Sequence, residues 1–401
     1  MPANVGIVGI GHTRFGNSSE YDLADVMAYA ASDALQDAEF LERRREIDQV
    51  IVGNMASGLF CHQSAVASSL VSRMDMEPVP AELVENGPAS GASAIKIGYM
   101  AVASGMADIV LVVGGEVMRK VSGWIATDHV ATMLHTEAEY NMGLTLPAFG
   151  GMFTRLYMEK YGLTERDLAL LAVKNHRNGA RNTYAHIQLP CTIEAIADGP
   201  DAAVVNNYVA EPLRMYSTCP VSDGAAALLL VNMDSPKARD FKKRPVRIAG
   251  VASATDTHCV HNRKDPLRLE AVRLAAEKAY RMAGVGPKDI SFAELHDAFS
   301  ILELAISEEV GFFERGKSFL AVRRGETDIG GRLPINTSGG LKAKGHPVGA
   351  TGVSQAVELV RQLRGEAEEG RQVKNPKYGM SVNFGGFGNN VVALICAKGE
   401  D

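Results

Sequence analysis

The sequence holds a single tryptophan among 401 residues and only five cysteines, Cys61, Cys191, Cys219, Cys259 and Cys396. The cysteines are scattered, odd in number and contain no CxxC pair. That excludes a zinc knuckle and a disulfide scaffold, and leaves reduced thiols in a cytoplasmic protein, with no metal, as the expectation. No apolar run reaches the roughly 18 residues that a membrane-spanning helix needs. No basic block stands out and the formal net charge is −6, so neither nucleic acid nor membrane is an expected partner. The opening residues, Met1-Pro2-Ala3-Asn4-Val5-Gly6-Ile7-Val8-Gly9, lack a charged-then-apolar leader and read as a first strand.

What is present is ordinary for a globular chain, 46% apolar and 22% charged residues, over a length that fits two or three domain-sized units or one large body. Glycine is abundant at 40 residues, and its clustering marks tight strand-to-helix turns close to a ligand. Short apolar runs alternate with helical stretches. Strands are predicted at residues 5–10, 49–53, 81–85 and 107–114, and helices at 23–38, capped by Asp22, and at 90–104. This alternation predicts an α/β protein with a mostly parallel sheet and helices on its faces. Residues 119 to about 210 then carry few strand signals and read as a helical insertion, clearest at 149–161 and 165–179. A strand at 223–231 closes the first half, residues 1–240. The second half, 241–401, repeats the order, with strands at 246–251, 290–295, 333–336, 378–383 and 391–397 and helices at 266–282, 297–310 and 348–363. Two halves with one strand–helix order point to a duplicated unit.

The densest motif is Asn336-Thr337-Ser338-Gly339-Gly340-Leu341-Lys342-Ala343-Lys344-Gly345-His346-Pro347-Val348-Gly349-Ala350-Thr351-Gly352. Its glycines admit backbone close to a ligand, and Pro347 pre-sets a turn before a helix start. His346 is held there as a base or as a donor to a developing oxyanion. Glu294-Leu295-His296-Asp297-Ala298-Phe299 sets a second histidine at a strand end, where open α/β sheets place ligands. Asp297 is read as the cap of the following helix. Val382-Asn383-Phe384-Gly385-Gly386-Phe387-Gly388-Asn389-Asn390 is a glycine turn between two strands; its amides could bind a thioester oxygen, or the glycines could serve a bulged hairpin, and spacing does not separate the two.

Taken together these segments resemble the thiolases along nearly the whole chain, in particular their archaeal and sterol-carrier-protein branch. Gly345-His346-Pro347-Val348-Gly349-Ala350-Thr351-Gly352 matches that family's GHPxGATG signature, and Ala89-Ser90-Gly91 the end of its first-cysteine motif. Val113-Gly114-Gly115-Glu116-Val117-Met118 matches the segment after the next helix, and Asn141-Met142-Gly143-Leu144-Thr145 resembles a loop-domain stretch near the thioester of coenzyme A. His296-Asp297-Ala298-Phe299 stands in place of the NEAF box. The resemblance implies a thiolase fold: duplicated βαβαβαββ halves, two stacked five-stranded sheets in a five-layered αβαβα body, and a helical loop domain. It also implies a homodimer and an acyl-CoA substrate in a pantetheine tunnel, with Met142, Ser338 and Gly339 as tunnel candidates. His296 and His346 become the expected catalytic pair, and Asn383, Gly386 and Gly388 the expected thioester-binding residues. No permanently bound cofactor is implied, coenzyme A arriving as part of the substrate.

Two departures matter. The family's acyl-carrying cysteine is replaced by Pro88, in Val84-Glu85-Asn86-Gly87-Pro88-Ala89-Ser90-Gly91, and its second cysteine by Val382 or Asn383. Proline cannot form an acyl thioester, and it lacks an N–H donor. Carbon–carbon cleavage without an acyl-enzyme, a retro-aldol reaction of a β-hydroxyacyl-CoA, is the reading that survives. Thiolase-like aldolases of steroid side-chain degradation resemble this arrangement in lacking the cysteine, though they carry tyrosines at the two histidine positions. They work with a small OB-fold/zinc-ribbon partner, which is expected here too. The alternatives are an acyltransferase of unusual mechanism, with the acyl group delivered by a partner or by Cys61, and a non-catalytic acyl-CoA-binding or scaffold subunit.

Overall fold

The computed structural model describes residues 4–399. Met1, Pro2 and Ala3 of the expected opening strand lie outside the described residues. The first half runs β1 (Val5–His12), α1 (Leu23–Asp37), β2 (Gln49–Gly53), α2 (Ser57–Phe60), α3 (Val66–Arg73), β3 (Ala81–Val84), α4 (Ser90–Ala103) and β4 (Ile109–Glu116). The insertion contributes α5 (Gly123–Ala131), α6 (Leu146–Tyr161), α7 (Glu165–Gly179), α8 (Ala202–Val205) and a short ribbon, β5 (Tyr208–Ala210) with β6 (Leu213–Arg214), before β7 (Gly224–Asn232). The second half runs β8 (Val246–Thr255), α9 (Glu270–Ala283), β9 (Phe292–Leu295), α10 (Ser300–Glu309), α11 (Ser318–Arg323), α12 (Gly340–Lys344), α13 (Thr351–Arg364), β10 (Tyr378–Gly385) and β11 (Asn390–Ala397).

The strands order as β3-β2-β4-β7-β1-β8-β11-β10-β9. Read outward from the middle, both sides pair alike. β1–β7 and β7–β4 are antiparallel, then β4–β2 and β2–β3 parallel. β8–β11 and β11–β10 are antiparallel, then β10–β9 parallel. The counterpart of β3 is the strand expected at 333–336, and it is reduced to one parallel bridge between Ala293 and Ile335. Pro334 offers no N–H, and Asn336 turns to a φ of +57°, so the extended run stops. The halves also touch edge to edge, Gly6 against Arg247 and Ile7 against Val246. The two stacked five-stranded sheets implied by the resemblance are therefore met by five strands in the first half and four in the second, joined at this short β1–β8 contact among the described residues.

Helices α4 and α13 pack on each other between the halves and touch strands of both. Their shared core joins Ile95 and Val353 to Leu228 of one half and Leu394 of the other. α1 and α3 cover the outer face of the first half, α9 and α10 that of the second. This is the five-layered αβαβα body. α4 begins with Ser90-Gly91-Ala92-Ser93-Ala94, and the small side chains let the central layer close tightly. A Cβ on Gly91 would stand 2.7 Å from the Gly349 carbonyl oxygen.

The insertion folds by local rules. Thr145 caps α6, with Pro147 in its first turn and Gly162 ending it at φ +75°. Thr164 and Asp167 form a capping box on α7. Phe149, Phe153 and Leu171 of these helices share one core with α9 and α10. The insertion thus belongs to the first half in sequence and packs on the second in space. Two expected caps are corrected. Asp22 precedes α1 but its side chain makes no capping bond, facing Lys120 instead. Asp297 does not cap α10, whose N-cap is Phe299; its carboxylate accepts the Leu341 N–H at 2.6 Å and so caps α12.

Candidate active site

Four turns converge between the halves: the one before α4 with Pro88, the end of β9 with His296, the α12–α13 turn with His346, and the β10–β11 turn with Gly386. With α5 and α6 above them they enclose a cavity of about 220 Å³. Pro88, His296, His346 and Gly386 all lie on its wall. The remainder is largely apolar, including Met133, Leu146, Phe299, Phe384 and Phe387, and among the described residues it contains no carboxylate. The insertion helps build this wall: Phe149 stacks on Phe387 at 5.7 Å, and Phe384 stands 5.6 Å from the His296 ring.

The two imidazoles meet edge to face, their centroids 4.8 Å apart at an interplanar angle of 90°. Their partners assign different tautomers. The Thr351 hydroxyl donates to the Pro347 carbonyl oxygen at 3.0 Å, so at 2.7 Å it accepts from the His346 Nδ1–H. His346 Nε2 is then a lone-pair nitrogen. Asn383 Oδ1 accepts the Ala92 N–H at 3.4 Å, which turns its Nδ2 toward His296 Nδ1 at 3.2 Å. His296 Nδ1 therefore accepts, and its proton resides on Nε2. Burial holds both rings neutral: His346 falls to about 3, and His296 is pushed well below the ordinary histidine value by burial and then by His346. One wall of the cavity thus carries a neutral base and a neutral donor.

The supporting turns are fixed by buried contacts. Gly87 sits at φ +55° ahead of Pro88. Ser90 Oγ accepts the Asn86 N–H at 2.8 Å and donates to the Gly87 carbonyl at 2.6 Å, stapling the turn. Glu116, at the end of β4, accepts from Asn54 Nδ2 at 2.8 Å, from the Met55 and Ala56 amides, and from the Gly349 N–H at 3.2 Å. Its carboxylate fastens the loop that carries His346, and burial raises its pKa to about 7.

The other expected site residues fall elsewhere. Asn383 is a positioning residue behind His296, both ends of its amide being engaged. The Gly388 N–H is taken by the Gly385 carbonyl at 3.2 Å, so it does not face a ligand. Met142 is 74% exposed and lies off the cavity wall. Ser338 is tied to the buried Glu294 carboxylate, and Gly339 packs against Gly179, so neither lines the cavity. Cys61 points away to the Val117 carbonyl, and its thiol is raised to about 11 by burial. Sequence reasoning missed Cys219, which does line the cavity; burial pushes its thiol to about 12. It also missed Thr351 and Glu116 as positioning residues, although both lie inside quoted motifs.

Comparison with known proteins agrees with this architecture. The family model described as the thiolase N-terminal domain matches residues 5–234, and that described as thiolase C-terminal domain-like matches residues 252–398. An acetyl-CoA acetyltransferase of Methanothermobacter thermautotrophicus is 38% identical, over 98% of this chain and 100% of that protein. Human sterol carrier protein 2 is 32% identical, over 97% of this chain and 71% of that protein. Among solved structures, the Ltp2-ChsH2(DUF35) aldolase superposes with a TM-score of 0.84 at 27% identity, covering 100% of this chain and 99% of that one. The chain belongs to the thiolase superfamily, in the branch of the archaeal and sterol-carrier-protein-type thiolases.

Proposed function

We propose that this protein acts on acyl-CoA thioesters and cleaves a β-hydroxyacyl-CoA by a retro-aldol reaction, with no acyl group carried on the polypeptide. The observation behind this reading is the complementary histidine pair beside Pro88. His346 Nε2 takes the proton of the β-hydroxyl. The Cα–Cβ bond breaks, the β-carbon leaves as a ketone or aldehyde, and the bonding electrons pass into the thioester as an enolate. The His296 Nε2–H donates to the enolate oxygen, and protonated His346 returns its proton to the α-carbon. Atoms and charge balance without an oxidant or a cofactor. A fixed donor in a largely apolar cavity stabilises a developing oxyanion more than water does, and with no carboxylate on the wall among the described residues the enolate meets no like charge.

Incubation with a panel of β-hydroxy- and β-ketoacyl-CoA esters, with mass spectrometry of products and intact protein, tests this. The expected result is a carbonyl fragment plus the shortened acyl-CoA with the protein mass unchanged. His346→Ala should lower turnover by about 10²–10⁴-fold. An acyl adduct on the wild-type chain, or undiminished turnover in His346→Ala, overturns it. The similarity to an acetyl-CoA acetyltransferase favours acyl transfer as a second reading. That reading needs a nucleophile, and the one thiol on the cavity wall among the described residues, Cys219, has its pKa raised by burial.

The two-component name of the Ltp2-ChsH2(DUF35) aldolase supports a partner protein for this chain, for which we propose a small OB-fold/zinc-ribbon protein. Co-expression with such a partner should raise turnover; full activity of the lone chain argues against the requirement. A homodimer through the edge strand β3 fits the fold, because among the described residues β3 pairs only with β2. No helix among the described residues is long and apolar enough to cross a membrane. A cytoplasmic location is proposed from the five cysteines, none of which is in a disulfide.

A further inference from the structure

One group of donor side chains takes no part in the chemistry above. A carboxylate oxygen of Glu139, the Cys259 sulfur and an imidazole nitrogen of His261 lie within 4.8 Å of one another. They come from segments distant in sequence: Glu139 from the insertion, just before the turn at Tyr140–Met142, and the other two from the loop after β8. We propose that these three side chains form a site for a thiophilic divalent cation of the zinc class, clamping the insertion to the second half beside the cavity.

The donor set is the mixed sulfur, nitrogen and oxygen set that zinc accepts, three protein ligands leaving a fourth position for water. Glu139 is buried and already aimed. Its Oε1 accepts the Val260 N–H at 2.8 Å and its Oε2 the His135 N–H at 3.0 Å, and each oxygen keeps a lone pair. An ion bonded at ~2.0–2.3 Å in tetrahedral geometry holds its donors roughly 3.3–3.8 Å apart, so closure by about 1 Å is needed. The exposed His261 ring can supply it by rotation.

Charge also fits. Arg263 lies 3.7 Å from Asp256, and all three of its guanidinium nitrogens are buried with no hydrogen-bond partner among the described residues. Its neighbours are Asp256 and Glu139. With the thiol protonated, two carboxylates face one guanidinium. Metal binding expels the thiol proton, and three negative groups then face a dication and Arg263, an exact balance. The neighbouring His135 and His258 are engaged at Nδ1, by the Ala138 N–H and by Asn389 Nδ2. The Asp256 N–H donates to the Asn389 carbonyl at 2.9 Å, so the loop that would bind the ion abuts the Gly386–Phe387 wall.

The test uses the full chain, stripped with a chelator and dialysed against zinc chloride or cobalt chloride. About one equivalent of metal per chain should be retained, and cobalt should give a thiolate-to-metal charge-transfer band. Cys259→Ser should abolish that band, and His261→Ala, at an exposed position, should weaken zinc binding by about tenfold or more with the circular dichroism unchanged. Failure of the wild type to retain metal overturns the proposal. So does a charge-transfer band that survives Cys259→Ser, or equal zinc affinity in the wild type and both variants.

Discussion

At His346 the hydroxyl of Thr351 decides which ring nitrogen carries the proton. Thr351→Val keeps the shape but removes the acceptor, leaving a buried Nδ1–H unpaired or moving the proton to Nε2. We expect kcat to fall by about 10–10²-fold with KM little changed, and Thr351→Ser to restore it; steady-state kinetics on the substrate found above checks both. Pro88→Cys would put a thiol on the cavity wall beside His346. Intact-mass measurement with an acyl-CoA should then show an acyl adduct that the wild type lacks; no adduct would mean that the thioester does not reach this wall. His346 also couples to stability. The unfolded ring binds a proton below its ordinary value of 6.5, whereas the folded ring stays neutral down to about 3. The unfolded state therefore holds more protons across that window, so stability is complete above it and declines as pH falls through it, by up to about 1.4 kcal/mol per pH unit. Urea denaturation of wild type and His346→Gln at several pH values should show the wild type losing ground to the variant by that slope below about pH 6.5.

The elements that carry these residues owe their positions to close backbone contact. The start of α4 and the loop before α13 touch through glycine. Gly91→Ala would press a Cβ against the Gly349 oxygen and the Gly352 and Val353 amides, all backbone atoms unable to turn aside. A loss of about 1–3 kcal/mol is expected by chemical denaturation. Gly352→Ala would drive into the Ala92 amide and Asn383 Oδ1, the pair that orients His296, so it should reduce activity as well as stability. The strand–helix order was legible from hydrophobic period and turn residues, because those are local properties. Element ends were less so. Asp297 reads as a local cap, yet its carboxylate goes to α12, more than forty residues on, because Gly340 and Leu341 are folded against it. Residues 333–336 read as a strand by composition, and Asn336 at positive φ cuts it short.

For the molecule as a whole, duplication sets the cavity between matching halves, and the insertion closes it by packing on the half it does not belong to. Among the described residues the outer edge at β3 is unpaired, with Leu83 44% exposed. If copies associate there, light scattering should report a dimer for the wild type and a monomer for Leu83→Arg; a wild-type monomer would end that proposal. The histidine pair itself was legible, since His296 ends an apolar strand and His346 sits in a glycine-rich turn before a helix. The wider site was not: Ser338, Gly339 and Met142 share motifs with it but turn into the interior or out to solvent.

The amino-acid sequence on its own determined the duplicated α/β order, the superfamily, the loss of the acyl-carrying cysteine at Pro88 and the identity of the two imidazoles, since these reside in local periodicity and in contiguous motifs. Tertiary structure alone decided which nitrogen of each ring holds its proton, that Asn383 orients and does not line, that Cys219 and not Cys61 reaches the cavity, and that Glu139 meets Cys259 and His261. Each of those depends on a contact between segments remote in the chain, and side-chain direction across such a contact is set by packing that no local pattern encodes.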